Sequence, residues 1–157
     1  MSTELQSQIR EYIATTKWAT LAYVRDDGAP MLRVMGSFAL APTSFDLYFS
    51  SDKAAAKVAQ IERHPKVSFY FQHEGHTFAD YRNVSIVGEA HRVSSGPDRD
   101  EAISLLRGKS PHFKELAETN QLHTTAIFKI ATAEINGLDY TRPVGPDRVI
   151  SLVCGAA

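Results

Sequence analysis

The segment KVAQIERHPKVSF, residues 57–69, places a lysine at the start of a predicted helix. A helix dipole is positive at its N-terminus, so a cation is disfavoured there. A bound anion removes this conflict, because the free backbone N–H groups of a helix N-terminus bind anions. The pattern therefore makes Lys57 a candidate anion-binding residue, and Lys53 is a second cation close enough to assist.

The charge balance limits what kind of partner the chain can attract. The formal net charge is −1, so no bulk electrostatic field draws nucleic acid or a membrane surface to the protein. An anion must then be held locally by a few cations. The length of 157 residues suits one domain, 1–157, and the ordinary share of hydrophobic residues excludes a disordered or collagen-like chain.

Cysteine usage and hydropathy indicate a cytoplasmic protein. Cys154 is the single cysteine, so no intramolecular disulfide can form, and no partner beside it would make the thiol reactive. The first ten residues, MSTELQSQIR, lack the apolar core of a signal peptide. No run of about 18 apolar residues predicts a membrane span.

Hydrophobic periodicity predicts the first helix and a series of strands. Leu5, Ile9, Tyr12 and Ile13 follow the spacing of one helical face, with Ser2 or Thr3 as cap. Asp27-Gly28 predicts a hairpin turn, because both residues tolerate positive φ. The strands are predicted over 18–24, 31–40, 45–50, 66–72, 83–93 and 125–135, with a further one at 148–153. Within the fifth strand, Gly88 indicates a bulge or a close backbone approach.

Three further helices are predicted between these strands. The alanine-rich stretch 53–64 takes Asp52 as its N-cap and is stopped by Pro65. A second helix starts at Pro97 and ends at Gly108, and a third runs from Ser110-Pro111 to residue 116.

The order of these elements predicts an α+β, mainly antiparallel six-stranded barrel with flanking helices. Strands joined by tight turns pair antiparallel, and the absence of β-α-β alternation argues against a dinucleotide-binding fold. Segments such as SFYF and SIVG carry bulky side chains on both faces. The outward face must be covered either by a second copy of the chain, which predicts a homodimer, or by the helices alone.

The sequence resembles the pyridoxamine 5'-phosphate oxidase-like family of FMN-binding split β-barrels. KVAQIERHPKVSF is similar to the helix-to-strand signature of that family, and RVMGSF, LYFSS and NVSIVGEA occur in the expected order. The resemblance spans about residues 5–135. It implies one FMN per site, with two sites at the interface of a dimer.

The resemblance also implies which residues bind the cofactor. Arg33 and Lys57 match residues that bind the FMN phosphate, and the backbone after Arg33 is expected along the edge of the isoalloxazine ring. Ser50 and Ser51 match a pair that contacts the flavin chain or phosphate, and Asn83 takes the place of a glutamine that reaches the ring. The expected cofactor-binding residues, with Lys53 added from its position, are Arg33, Val34, Met35, Gly36, Ser50, Ser51, Lys53, Lys57 and Asn83.

The chain departs from true pyridoxamine phosphate oxidases at positions that matter for their substrate. Phe38 and Ala56 stand where that family pattern has a lysine and an arginine. The C-terminal stretch INGLDYTRPVGPDR lacks the expected tryptophan and Arg-His motif. The resemblance therefore implies an FMN-dependent oxidoreductase with a different, unidentified small-molecule substrate.

Other functions stay open as alternatives. The protein could be a flavin-binding redox carrier or sensor without turnover, or it could bind a deazaflavin or haem as some relatives do. No catalytic acid or base is selected by the sequence, although Tyr81, Tyr140 and His76 are candidates for a cleft. We expect no metal site, because Gly75 interrupts the His73–His76 pair.

Overall fold

A computed structural model describes residues 3–155. Four α-helices span α1 Thr3–Ala14, α2 Ala56–Arg63, α3 Pro97–Lys109 and α4 Pro111–Glu118. Eight strands span β1 Ala19–Val24, β2 Pro30–Met35, β3 Phe38–Leu40, β4 Leu47–Asp52, β5 Lys66–Phe71, β6 Arg82–Arg92, β7 Thr125–Asp139 and β8 Val149–Val153. Short 3-10 turns at Leu122–Thr124 and Pro146–Arg148 precede β7 and β8.

The strands form one antiparallel sheet that curls into a split barrel. Its order is β2-β1-β5-β6-β7-β4-β3, and β8 pairs with β7 outside this path. The strands β2 and β3 lie at opposite edges of that order, yet only Gly36 and Ser37 separate them in sequence. The sheet must therefore curve until its two edges meet at these residues.

The predicted α+β antiparallel barrel is confirmed, with a different number of strands. The predicted strand 31–40 breaks at Gly36 and Ser37 into β2 and β3, and the strand predicted at 148–153 forms as β8. The described chain thus has eight strands instead of six. The break follows from the curvature, since one straight strand cannot serve both edges of the curled sheet.

Two hydrophobic cores hold the sheet and helices together. The larger fills the barrel with aromatic side chains such as Phe49, Phe69 and Phe128, and α1 and α2 close it with Ile13 and Ile61. The smaller core lies on the outer side of β3, β4 and β7, beneath α3 and α4. Strand β4 is consequently buried on both faces, which explains why its sequence does not alternate.

Two local predictions about turns and bulges are confirmed. The hairpin between β1 and β2 turns at Gly28, whose φ is 84°. The pairing of β6 with β7 shifts between Val87 and Gly88. A Cβ atom at Gly88 would collide with the backbone carbonyl of Ala131, so the close approach requires glycine.

The predicted boundaries of three helices need correction. Asp52 does not cap α2: it ends β4, and its carboxylate accepts a hydrogen bond from the backbone N–H of Ala54 at 2.8 Å within the turn that follows. Ala55 occupies the cap position without a side-chain bond. Helix α3 runs through Gly108 to Lys109, and α4 extends two residues beyond 116. Of the two predicted caps of α1, Ser2 lies outside the described residues and Thr3 is the first helical residue.

Candidate functional site

A spacious cleft lies where the two edges of the sheet meet. Its volume is about 640 Å³, within the usual range of roughly 300–1,000 Å³ for small-molecule sites. It is bounded by the end of α1, the end of β2, strand β4 and the junction of α3 with α4. The lining residues are Ala14, Thr15, Thr16, Lys17, Trp18, Val34, Met35, Gly36, Ser37, Ser50, Lys109, Ser110, Pro111 and His112.

Four of the expected cofactor-binding residues lie together on one wall of this cleft. Val34, Met35 and Gly36 form the end of β2 and its continuation, and Ser50 lies beside them on β4. The backbone N–H of Ser50 donates to the carbonyl of Ser37 at 3.1 Å, and the two serine hydroxyls are hydrogen bonded to each other. These bonds fix the seam between the two edges of the sheet.

Arg33 and Lys57 come from different elements and are brought close together. Arg33 is exposed on the edge strand β2, and its guanidinium lies 6.0 Å from the centre of the Tyr23 ring. Lys57 is partly buried in the first turn of α2. Burial lowers its pKa, and the positive charge of Arg33 lowers that pKa further, although Asp52 partly opposes the shift. Arg33 is therefore near enough to Lys57 for its charge to act on the lysine ammonium.

Neither cation is neutralised by an ion pair within the described part of the chain. None of the ion pairs formed among residues 3–155 includes Arg33, Lys53 or Lys57. The first turn of α2 also has no acidic residue, and Ala55 provides no side-chain cap for its N–H groups. The Asp52 carboxylate lies at this end as well, where it accepts from the Ala54 N–H at 2.8 Å. The first N–H groups of α2 have no carbonyl partner inside the helix.

Ser51 and Lys53 flank the same region on the chain that leads into α2. Ser51 is buried near the end of β4, and its hydroxyl donates to the Asp52 carbonyl at 3.3 Å. Lys53 has an exposed side chain in the turn between β4 and α2. Its backbone N–H donates to the carbonyl oxygen of Thr124 at 2.9 Å, and this bond holds the turn against the start of β7.

Asn83 lines a different pocket from Val34, Met35, Gly36 and Ser50. It is buried at the start of β6 and donates to the Tyr81 hydroxyl at 3.1 Å. It lines a small pocket of about 30 Å³ between α1 and the sheet. The structure of a single chain does not bring Asn83 together with Arg33 and Lys57.

The three residues considered as cleft candidates form a separate aromatic cluster. Tyr81 lies 6.2 Å from His76 and 5.7 Å from Tyr140, measured between ring centres. The Tyr81 hydroxyl also shares a hydrogen bond of 3.0 Å with Tyr70. Burial, followed by this bond, raises the pKa of Tyr70, so its hydroxyl stays protonated at neutral pH. His76 and Tyr81 line a second open pocket, which touches the first only at Trp18.

The sequence patterns missed one whole wall of the cleft. Lys109, Ser110, Pro111 and His112 come from the junction of α3 and α4, about 75 residues after β2. No spacing or motif connects this junction to the segments that resemble the FMN-binding family, so only the folded chain shows that they are neighbours.

Among residues 3–155, no group of three or more His, Cys, Asp or Glu side chains is arranged to hold a metal ion. None of the helices in that range has both the length and the apolar character needed to cross a bilayer.

Comparison with solved structures identifies the same fold in several bacterial proteins. A conserved hypothetical protein from Mycobacterium tuberculosis is 20% identical, with a TM-score of 0.72 over 92% of both chains. A heme binding protein from Mycobacterium smegmatis is 14% identical, with a TM-score of 0.75, and the match covers 98% of this chain and 59% of that one. The heme storage protein from Vibrio cholerae is 17% identical, with a TM-score of 0.64 over 80% of this chain and 88% of the other.

At these identities the solved structures establish the fold alone. No curated protein sequence matches the chain. The family model described as pyridoxamine 5'-phosphate oxidase matches residues 5–139, which is most of the chain. This match confirms the resemblance drawn from the sequence motifs, and the chain belongs to the pyridoxamine 5'-phosphate oxidase family.

Proposed function

We propose that this protein is an FMN-dependent oxidoreductase that acts on a small molecule. Residues 1–157 form a single FMN-binding split-barrel domain, and two copies pair with the cofactor at their interface. The observation that carries the proposal is that the charge of Arg33 acts on Lys57 in the first turn of α2, a helix without a side-chain cap, while neither cation forms an ion pair in the described chain.

A phosphate monoester fits that arrangement. It carries about 1.5 to 2 negative charges at neutral pH and has three acceptor oxygens. One guanidinium, one ammonium and the free N–H groups of a helix N-terminus satisfy such a group without a basic surface. Lys53 is near enough along the chain to add further donors. The lysine that opens α2 is then explained by the anion that it binds.

The wall formed by Val34, Met35, Gly36 and Ser50 suits the flat ring of the same cofactor. When bound, FMN supplies hydride transfer at its N5 atom. The chain orients the ring with the backbone of residues 34–36 and the hydroxyl of Ser50, and the cleft limits access of water. Gly36 has no side chain, which allows the Trp18 ring to pack against the backbone at the edge of this wall.

The substrate differs from that of true pyridoxamine phosphate oxidases. Phe38 occupies a position where those enzymes carry a lysine, and its ring is buried in the barrel core. Ala56 provides no charge beside Lys57. With these two cations missing, Arg33 and Lys57 still provide enough positive charge to bind one phosphate. The small molecule that is oxidised or reduced is therefore not pyridoxamine phosphate.

The dimer is supported by the face of the sheet that the helices leave open. Helices α3 and α4 cover only the outer side of β3, β4 and β7. On β2, the apolar side chains of Leu32 and Val34 remain 64% and 68% exposed. A second copy would bury this face. Asn83 then fits the proposal if it contributes to the cofactor site of the partner subunit.

The deciding experiment is an absorption spectrum and mass analysis of the cofactor that purifies with the protein. We expect flavin bands and the mass of FMN. The enzyme is then distinguished from a carrier or sensor by reducing the bound flavin with a nicotinamide and supplying a quinone or nitro compound as acceptor. Purified protein that neither contains nor takes up FMN would overturn the cofactor, and flavin that resists every such donor would overturn the enzyme.

Haem is the second candidate, because the fold is shared with proteins whose names record haem binding and haem storage. His112 at the cleft is an available imidazole. A Soret band in place of flavin bands would favour haem, and the mass of a deazaflavin would favour that cofactor.

The proposal also includes a cytoplasmic location, because a chain with a single cysteine suits a reducing compartment.

A further inference from the structure

The cleft at the sheet seam has positive charge and no acid in its lining. Lys17, Lys109 and His112 are its titratable residues, and neither Asp nor Glu lines it. The start of α4 opens onto the same wall through Ser110 and Pro111, so the positive end of a helix dipole adds to the side-chain charges. An uncharged ligand would gain no electrostatic energy from these charges, and a cationic ligand would be repelled by them.

Lys109 is the cation in this wall that the fold holds in place. Its Nζ donates to the carbonyl of Thr16 at 2.9 Å and lies 3.9 Å from the centre of the Phe38 ring. Burial lowers its pKa, which reflects the cost of keeping the ammonium away from water. None of the ion pairs among residues 3–155 includes Lys109.

The ammonium of Lys109 keeps unused hydrogen-bonding capacity. A lysine has three N–H donors, and within the described chain only the bond to Thr16 uses one. The ring of Phe38 fixes the position of the charge but accepts no conventional hydrogen bond. Two donors on the wall of a cleft therefore remain for an anionic ligand.

Trp18 provides an aromatic surface in the same cleft. It is the single tryptophan of the chain, and its indole is 53% exposed. The six-membered ring packs against Gly36, where an added Cβ would lie 2.5 Å from the Trp18 Cζ3 atom. Gly36 thus allows the indole to sit at the seam, where a planar ligand could stack on it.

We propose that this cleft binds a small planar molecule with one negative charge, such as an aromatic carboxylate, which stacks on Trp18 and places its charge at Lys109. Lys109 is the residue that determines specificity for the anion. The anion site stands on the geometry of the cleft alone. Its identification as the substrate site rests on the proposed oxidoreductase function.

The single tryptophan gives a direct readout of this site. In protein labelled with ¹⁵N, the indole N–H of Trp18 is one resolved signal in a nuclear magnetic resonance spectrum. The protein, with whatever cofactor it carries, is titrated with sodium benzoate and with uncharged benzamide at constant ionic strength. We expect the Trp18 signal to shift with both probes, and benzoate to bind at least tenfold more tightly.

Charge removal at Lys109 tests the assignment of the residue. Lys109→Met keeps an unbranched side chain and is expected to reduce benzoate affinity to that of benzamide, whereas Lys109→Arg retains the preference. Lys66→Met is the matched control, because Lys66 is exposed at the far end of β5. It should leave both affinities unchanged. The comparison of the two probes in the unaltered protein needs no variant and stands if Lys109→Met fails to fold.

Three results would overturn the proposal. Equal affinity for benzoate and benzamide in the unaltered protein would show that the cleft has no anion site. A preference for benzoate that persists in Lys109→Met would show that Lys109 is not the residue that binds the anion. A more than tenfold loss of FMN affinity in Lys109→Met would assign Lys109 to the cofactor instead of the substrate. Protein that binds no FMN but still prefers benzoate through Lys109 would overturn the proposed function and leave the anion site in place.

Discussion

The two ends of helix α2 carry positive side chains, but only one end pairs them. At the C-terminal end, the Arg63 guanidinium donates to both carboxylate oxygens of Asp26, at 2.9 and 2.8 Å. The ring of His64 lies 3.0 Å from the same carboxylate, and the backbone N–H of Asp26 donates to Gln60 at 2.8 Å. This end fastens the β1–β2 hairpin to the helix.

The N-terminal end of α2 shows the opposite arrangement. Lys57 faces a second cation, Arg33, and has no acid partner among the described ion pairs. The pKa of Lys57 is lowered, which means that its surroundings disfavour the charged form of the lysine. The pKa of Asp26 is also lowered, from 3.8 to about 2, but there the bonds from Arg63 and His64 favour the charged form of the carboxylate. Under the proposed function, the paired charges stabilise the fold and the unpaired ones bind a ligand.

The largest expected effect comes from removing both unpaired cations. In Arg33→Ala/Lys57→Ala, FMN affinity should fall by about 1.5–3 kcal/mol for each lost charged contact, or roughly ten- to 150-fold each. Equilibrium titration followed by flavin fluorescence measures the loss, and light scattering should show that the dimer is retained. Unchanged FMN affinity in this variant would show that the unpaired cations at the N-terminal end of α2 do not bind the cofactor.

Removing the paired carboxylate should act on stability and spare the cofactor. In Asp26→Asn we expect a lower melting temperature and an unchanged FMN affinity. The effect is small and weakens with added salt, because the pair is exposed to solvent. A variant that instead lost FMN would show that the C-terminal end of α2 also serves the ligand.

The same pair gives a pH dependence with a defined sign. The pKa of Asp26 in the folded protein, about 2, lies below its ordinary value of 3.8. Its contribution to stability is therefore fully present above pH 3.8 and is lost as the pH falls through 2. The difference in melting temperature between Asp26→Asn and the unaltered protein should close over this range in acid scans.

The smallest expected effect concerns Lys57 in protein freed of cofactor. Its folded-state pKa is below the ordinary 10.5, so its charge opposes folding at neutral pH and the penalty disappears as the pH rises toward 10.5. Lys57→Met should raise the melting temperature slightly at pH 7, and the gain should shrink in alkaline buffer. Lys66→Met is the control and should cause no change; a lower melting temperature for Lys57→Met would contradict the account.

The elements that the sequence predicts well are those controlled by local chemistry. The apolar face of α1, the positive φ of Gly28 and the bulge at Gly88 each depend on residues close in sequence or on the absence of a side chain. The family resemblance identified Arg33 and Lys57 together, which composition and periodicity alone could not have done. The structure adds that the charge of Arg33 lowers the pKa of Lys57, after the larger effect of burial.

What the sequence could not predict depends on the curvature of the barrel. The break at Gly36 and Ser37 arises because the sheet must close on itself. A glycine inside a strand is compatible with a bend, but the hydrophobic pattern of 31–40 does not show that the strand divides there. Asp52 looked like a helix cap because the alanines that follow favour a helix, but residues 53–55 turn before α2 begins. Lys109 reaches the cleft only because α3 packs over β3 and β4.

The most direct test of the central claim compares FMN with riboflavin, which has the same ring and lacks the phosphate. We predict that the protein binds FMN at least a hundredfold more tightly than riboflavin. We also predict that Arg33→Ala/Lys57→Ala loses most of this preference while its riboflavin affinity stays the same. Equal affinity of the unaltered protein for FMN and riboflavin would contradict the claim that Arg33 and Lys57 are held together to bind a phosphate.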